Sequence, residues 1–131
     1  MTVRTASCSC GQLTATTTGD PIRVSVCHCL ACQRRTGSVF AAQARFHRID
    51  VELRGHSSSY VRIGDSGKQT TFHFCGKCGA TVHFDMESQQ DVIAIPLGAF
   101  ADPAFPPPSR SVYEDYKHPW VELPVCAEHM G

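Results

Sequence analysis

Seven of the chain's eight cysteines fall into three tight groups, and no other feature constrains the fold as strongly. The groups are Cys8-Ser9-Cys10, Cys27-His28-Cys29-Leu30-Ala31-Cys32 and Cys75-Gly76-Lys77-Cys78, with Cys126 alone. An even count permits a disulfide framework, but spacings of two and three residues suit chelation better, because each short motif aims two thiolates at one point about 2.3 Å from a metal. Zinc favours that geometry. A structural zinc takes four closed ligands, whereas a catalytic one keeps three and an exchangeable position. Pairing Cys8 and Cys10 with Cys75 and Cys78 completes a four-thiolate site that joins the N-terminal turn to the middle of the chain. Cys27, Cys29 and Cys32 are left as a second, three-thiolate site. Its fourth position is open to water, substrate or a distant side chain, and the alternative is a structural site completed by Cys126 or a histidine. His28 is expected to point away from this ion, since alternate residues of an extended segment face opposite sides.

The remaining composition narrows the class. Twelve basic and twelve acidic residues give a formal net charge of zero, without the basic excess that a nucleic-acid binder needs to neutralise phosphates. The longest apolar stretch, Val92 to Phe100, contains Pro96 and Gly98 and is far shorter than the roughly 20 residues that span a bilayer. The N-terminal Met-Thr-Val-Arg-Thr-Ala-Ser lacks the apolar segment of a secretion signal, so a cytoplasmic, reducing compartment is expected. One domain covering residues 1–131 accommodates this length.

Short alternating runs predict a mainly β, mostly antiparallel fold with the cysteines in its loops. Val3–Ala6, Leu13–Thr17, Ile22–Val26, Val39–Phe46, Asp50–Leu53, Tyr60–Ile63, Thr71–Phe74 and Ala80–Phe84 read as strands. Gln33–Gly37 reads as one helical turn beginning at the second metal site and ended by glycine. Cys75–Gly79 reads as a knuckle between two strands. His73 and His83 are expected on the face opposite Phe72, Phe74, Val82 and Phe84, as a solvated pair. Pro103, Pro106, Pro107 and Pro108 predict an extended surface connector. Tyr113, Tyr116 and Trp120 beyond it suit either core filling or a substrate-pocket wall.

The cysteine groups with their flanks, Cys8-Ser9-Cys10-Gly11, Cys27-His28-Cys29-Leu30-Ala31-Cys32-Gln33-Arg34-Arg35-Thr36-Gly37 and Phe74-Cys75-Gly76-Lys77-Cys78-Gly79, resemble the glutathione-dependent formaldehyde-activating enzyme (GFA, CENP-V/GFA) family. Gly98-Ala99-Phe100-Ala101-Asp102-Pro103, Pro119-Trp120 and Leu123-Pro124 resemble its C-terminal half, so the likeness covers roughly residues 6–125. The resemblance implies coiled antiparallel sheets in a zinc-bearing, tent-like (Mss-like) fold shared with methionine-R-sulfoxide reductases and a Rab-binding exchange factor. It implies two zinc sites with the division reached above. It also implies a carbon–sulfur lyase that joins glutathione to formaldehyde, with Cys27, Cys29 and Cys32 holding the catalytic zinc. Arg34 and Arg35 beside that site are candidates to hold a glutathione carboxylate, or are solvated arginines balancing thiolate charge. Two other functions remain at this level: a non-catalytic, zinc-stabilised binding module, and a thiol redox enzyme using Cys126. No oligomeric state is selected by the sequence, and the expected partner is a small thiol.

Overall fold

A computed structural model describes residues 1–123 and 128–131; Cys126 lies outside the described residues. The strands are β1 (Val3–Ser7), β2 (Thr14–Thr18), β3 (Arg23–Cys27), β4 (Ala41–His47), β5 (Val51–Arg54), β6 (Ser58–Ile63), β7 (Gln69–Phe74), β8 (Thr81–Met86), β9 (Val92–Pro96), β10 (Arg110–Val112) and β11 (Glu128–His129). One α-helix, α1 (Leu30–Thr36), follows β3. The helix is two turns rather than one, because Cys29 caps its start with the sulfur accepting from the Cys32 N–H, and Gly37 ends it at φ 71°.

The strands form two sheets, ordered β1-β2-β5 and β11-β10-β3-β4-β9-β8-β7-β6. Pairing is antiparallel except around β10, which runs parallel to both β3 and β11. Between the sheets lies the main core, where Ala6, Leu13 and Ala15 meet Val24, Ala44, Phe46, Ile93 and Ile95. A mainly β single-domain fold is what the alternating runs predicted.

The middle strands are covered on both faces, and this positions the site. On β3 the side chains of Arg23, Ser25 and Cys27 line a cavity while Val24 points into the core. On β4, Gln43 and Arg45 face the cavity while Ala44 and Phe46 are core. Period-two alternation thus divides one sheet into an oily face and a polar, functional face.

One expectation is corrected and one pair of alternatives is decided. The proline connector is not wholly on the surface, since Phe105 within it is buried beside Phe100 at a ring distance of 4.7 Å. Tyr113, Tyr116 and Trp120 do not fill the core: each is at least half exposed, and the first two line the cavity instead. On β8, Val82 joins the inter-sheet core and Phe84 packs on Phe72. The β7–β8 register shifts between His73 and Phe74.

One glycine bears directly on the folding of the N-terminal cysteine loop. Gly55, between β5 and β6, sits at φ 95°, and a Cβ there would run into the backbone carbonyl of Gln12. Gln12 in turn spans between strands, its amide nitrogen donating to His56 O at 2.7 Å and to Cys75 Sγ at 3.1 Å. Gly55→Ala is therefore expected to destabilise the protein by about 2 kcal/mol or more, measured by urea unfolding, through clash and left-handed strain together.

Candidate metal centre and its cavity

The structure brings the seven grouped cysteines into two clusters. Cys8 and Cys10 leave β1 in a turn closed by Gly11 N–H to Cys8 O at 3.1 Å and Cys8 N–H to Leu13 O at 3.0 Å. Cys75 and Cys78 come from the β7–β8 knuckle, closed by Gly79 N–H to Cys75 O at 2.8 Å, with Gly79 at φ 81°. All four sulfurs lie within 4.8 Å of one another. The Cys8–Cys10 and Cys10–Cys75 sulfur separations are 3.7 and 3.6 Å. A tetrahedron with metal–sulfur bonds of about 2.3 Å has sulfur–sulfur edges of about 3.8 Å, close to these two separations. The set fits a metal. Donors surround it too: Leu13 N–H reaches Cys8 Sγ and Lys77 N–H reaches Cys75 Sγ, each at 3.3 Å. The Gln12 amide, with backbone N–H groups, lowers the Cys75 thiol to about 6.

The second cluster is built where β3 runs into α1. Cys27, Cys29 and Cys32 place their sulfurs within 4.8 Å of one another, and among the described residues the group has these three members. His28 turns the other way, as the extended segment requires. It is fully buried, with Nε2 3.1 Å from Ser111 Oγ, and its N–H donates to Val112 O. That anchor on β10 turns the flanking Cys27 and Cys29 to the cavity side. Cys27 and Cys32 are shifted in opposite directions. The neighbouring Cys27 thiol, then Cys29 and the guanidiniums of Arg35 and Arg62, hold the Cys32 thiol down at about 5 against its burial, while Cys32 and burial push Cys27 up. A cluster that keeps thiolate character suits a soft-ligand metal.

The cysteines lie at one side of a cavity of about 510 Å³, within the size range of small-ligand sites. Of the two arginines expected beside the centre, Arg35 lines this cavity and Arg34 is exposed outside its lining. Helical periodicity explains the split, because Cys32 and Arg35 are three apart on one face of α1. Arg35 stacks 4.9 Å over Phe72 and 5.2 Å over Phe84, and Arg62 lies 5.3 Å from Phe72. Tyr113 and Tyr116 form a wall because Gln33 ties the C-terminal segment to the helix, its amide donating to Tyr116 O at 3.2 Å and its oxygen meeting His118 Nε2 at 3.0 Å.

Four more arginines, none of them singled out from the sequence, line the cavity: Arg23, Arg45, Arg62 and Arg110. The signal was available, since Arg23 and Ser25 share the parity of the ligand Cys27 on one strand.

The family is shown over most of the chain. Residues 3–116 match the model of the family described as glutathione-dependent formaldehyde-activating enzyme. This chain belongs to that family. No curated protein matches the chain. Among solved structures, a Rhodobacter sphaeroides protein superposes with a TM-score of 0.57 at 20% identity, over 72% of this chain and 85% of that one, and so shares the fold. Among the described residues no helix is long and apolar enough to cross a membrane.

The histidine pair of this GFA-family chain differs from its expected form. His73 and His83 face each other across β7 and β8, stacked at 4.5 Å with planes 16° apart, but His83 is buried rather than solvated. Burial, then the neighbouring His73, lowers His83 from 6.5 to about 4; Asp85 opposes this and Arg48 adds to it. Unfolding releases His83 to its ordinary value, so between those pH values the unfolded chain binds the extra proton. Its contribution to stability is complete above about 6.5 and is lost as pH falls toward about 4. Chemical denaturation from pH 7.5 to 5 should show a shallower loss for His83→Gln than for the parent chain.

Proposed function

We propose that this chain is a zinc-dependent carbon–sulfur lyase-type enzyme that joins and separates a small thiol, glutathione first among candidates, and formaldehyde. The observation that carries this reading is the three-thiol cluster lining an arginine-rich cavity, in a chain whose other four grouped thiols form a complete four-ligand set of their own. Cys8, Cys10, Cys75 and Cys78 would hold a structural zinc, and Cys27, Cys29 and Cys32 a second. When bound at the second cluster, zinc supplies an open coordination position that favours the ionised form of a thiol.

The chain's own residues supply the rest. Arg35 and Arg62 offset the negative charge on Cys32 and lie against Phe72, whose ring helps exclude water from that side. The thiol sulfur attacks the aldehyde carbon and a C–S bond forms. The carbonyl π electrons pass to oxygen, which takes up the proton that the thiol gave up, leaving a hydroxymethyl thioether. The reverse step returns both reactants, so no oxidant or reductant is consumed.

Exchange between free thiol and hydroxymethyl adduct, followed by NMR with glutathione, cysteine and 2-mercaptoethanol, tests the reading. Acceleration with at least one of them is expected. No acceleration with any would leave a metal-stabilised binding module.

A further inference from the structure

The cavity holds far more positive charge than its thiols need. Arg23, Arg35, Arg45, Arg62 and Arg110 all line it, with Asp65 the one acidic residue in the lining. Three of these arginines stand together on neighbouring strands, apart from the cysteine end. Arg23 of β3 is directly opposite Arg45 of β4, and Arg110 of β10 pairs with Ser25. Like charges placed directly opposite across a ladder destabilise a sheet, and nothing in the packing requires them here. Burial, then Arg110, disfavours the charged form of Arg23, with Glu128 opposing; burial, then Arg23 and Arg110, disfavours that of Arg45.

Their hydrogen bonding is also incomplete. Arg45 donates from one terminal nitrogen to Ser25 Oγ at 3.0 Å, and Arg110 grips Glu128 at 3.0 and 3.1 Å. The Nε atoms of Arg23, Arg45 and Arg110 are nonetheless buried without a partner, and Arg23 makes no side-chain hydrogen bond or ion pair among the described residues. Buried donors of this kind cost stability unless something accepts from them. An oxyanion is the group that satisfies several guanidiniums at once and removes their repulsion.

We propose that Arg23, Arg45 and Arg110 form an oxyanion subsite that holds an acidic group at the far end of the thiol substrate. This rests on the three-thiol centre being the thiol-binding one. Arg23 is four residues from Cys27 on β3, about 13 Å along the strand, so the acidic group sits several bonds away from the sulfur. The substrate class is therefore an extended acidic thiol, and a compact or cationic thiol is disfavoured.

The test is equilibrium binding to the zinc-loaded protein by calorimetry, with 6-mercaptohexanoate, 6-mercaptohexanol and hexanoate, and inorganic phosphate as competitor. The acid is expected to bind about tenfold or more tightly than the alcohol, and phosphate to weaken the acid but not the alcohol. In Arg23→Gln the preference should shrink to near parity, while the melting temperature stays at or above that of the parent because a like-charge pair is gone. Arg45→Gln, which also loses the Ser25 bond, should narrow the preference too, and Arg54→Gln on the exposed β5 should not. Equal affinity for acid and alcohol in the parent protein would overturn the subsite and leave the thiol-binding reading standing. Hexanoate binding through Arg23, with no binding of mercaptohexanol, would keep the subsite and overturn the thiol-binding reading. An unchanged preference in both arginine variants would likewise overturn the subsite.

Discussion

Cys75→Ser is expected to leave the chain without a cooperative fold. Cys75 is fully buried, and its sulfur lies 3.6 Å from that of Cys10, 65 positions earlier. It also accepts hydrogen bonds from Gln12 and Lys77, so removing the sulfur breaks a network as well as a ligand set. Structural zinc sites contribute on the order of 10 kcal/mol, comparable with the whole stability of about 5–15 kcal/mol typical of a domain. Among the described residues β1, β2 and β5 share no backbone ladder with the larger sheet, so the cysteine cluster adds to the apolar core as the link between the two. Circular dichroism on heating should show a broad, non-cooperative change for Cys75→Ser, and the parent chain should lose its sharp transition after chelation. A chelated chain that melted as sharply as before would contradict a structural metal.

Cys29→Ser should behave in the opposite way, keeping the fold and losing the reaction. Cys29 caps α1 by accepting from the Cys32 N–H at 3.3 Å, and a serine hydroxyl performs that role at least as well. The helix and Gly37 stop therefore survive. What disappears is one of three thiolate donors, and adduct exchange should fall by about a hundredfold or more, since even residues that merely support metal ligands cost 10–100-fold when removed. The near-ultraviolet spectrum and melting profile should stay close to those of the parent.

The cysteine clusters were legible in the sequence because short-range spacing and ligand number depend on little beyond the local chain. Cys8 and Cys10 could be matched to Cys75 and Cys78 by counting alone. Strands β1 to β8 were legible for a similar reason, as alternation and turn residues act locally; β9, β10 and β11 were not. The cavity was not. Arg34 and Arg35 are adjacent in sequence and seemed equivalent, but helix phase turns only Arg35 toward the cysteines. Arg23, Arg45 and Arg110 become neighbours only once β10 docks parallel to β3 and β4 pairs on its other side, a tertiary arrangement with no local signature. His83 escaped for the same reason, since its burial depends on what covers the sheet rather than on strand parity.

The central claim is that the protein carries two metal centres, one that holds the fold and one that does chemistry. Counting zinc per purified chain by plasma mass spectrometry tests it most directly, on the parent and on Cys29→Ser. The account predicts two zinc ions per parent chain and one per folded Cys29→Ser chain. One zinc in both proteins would contradict it.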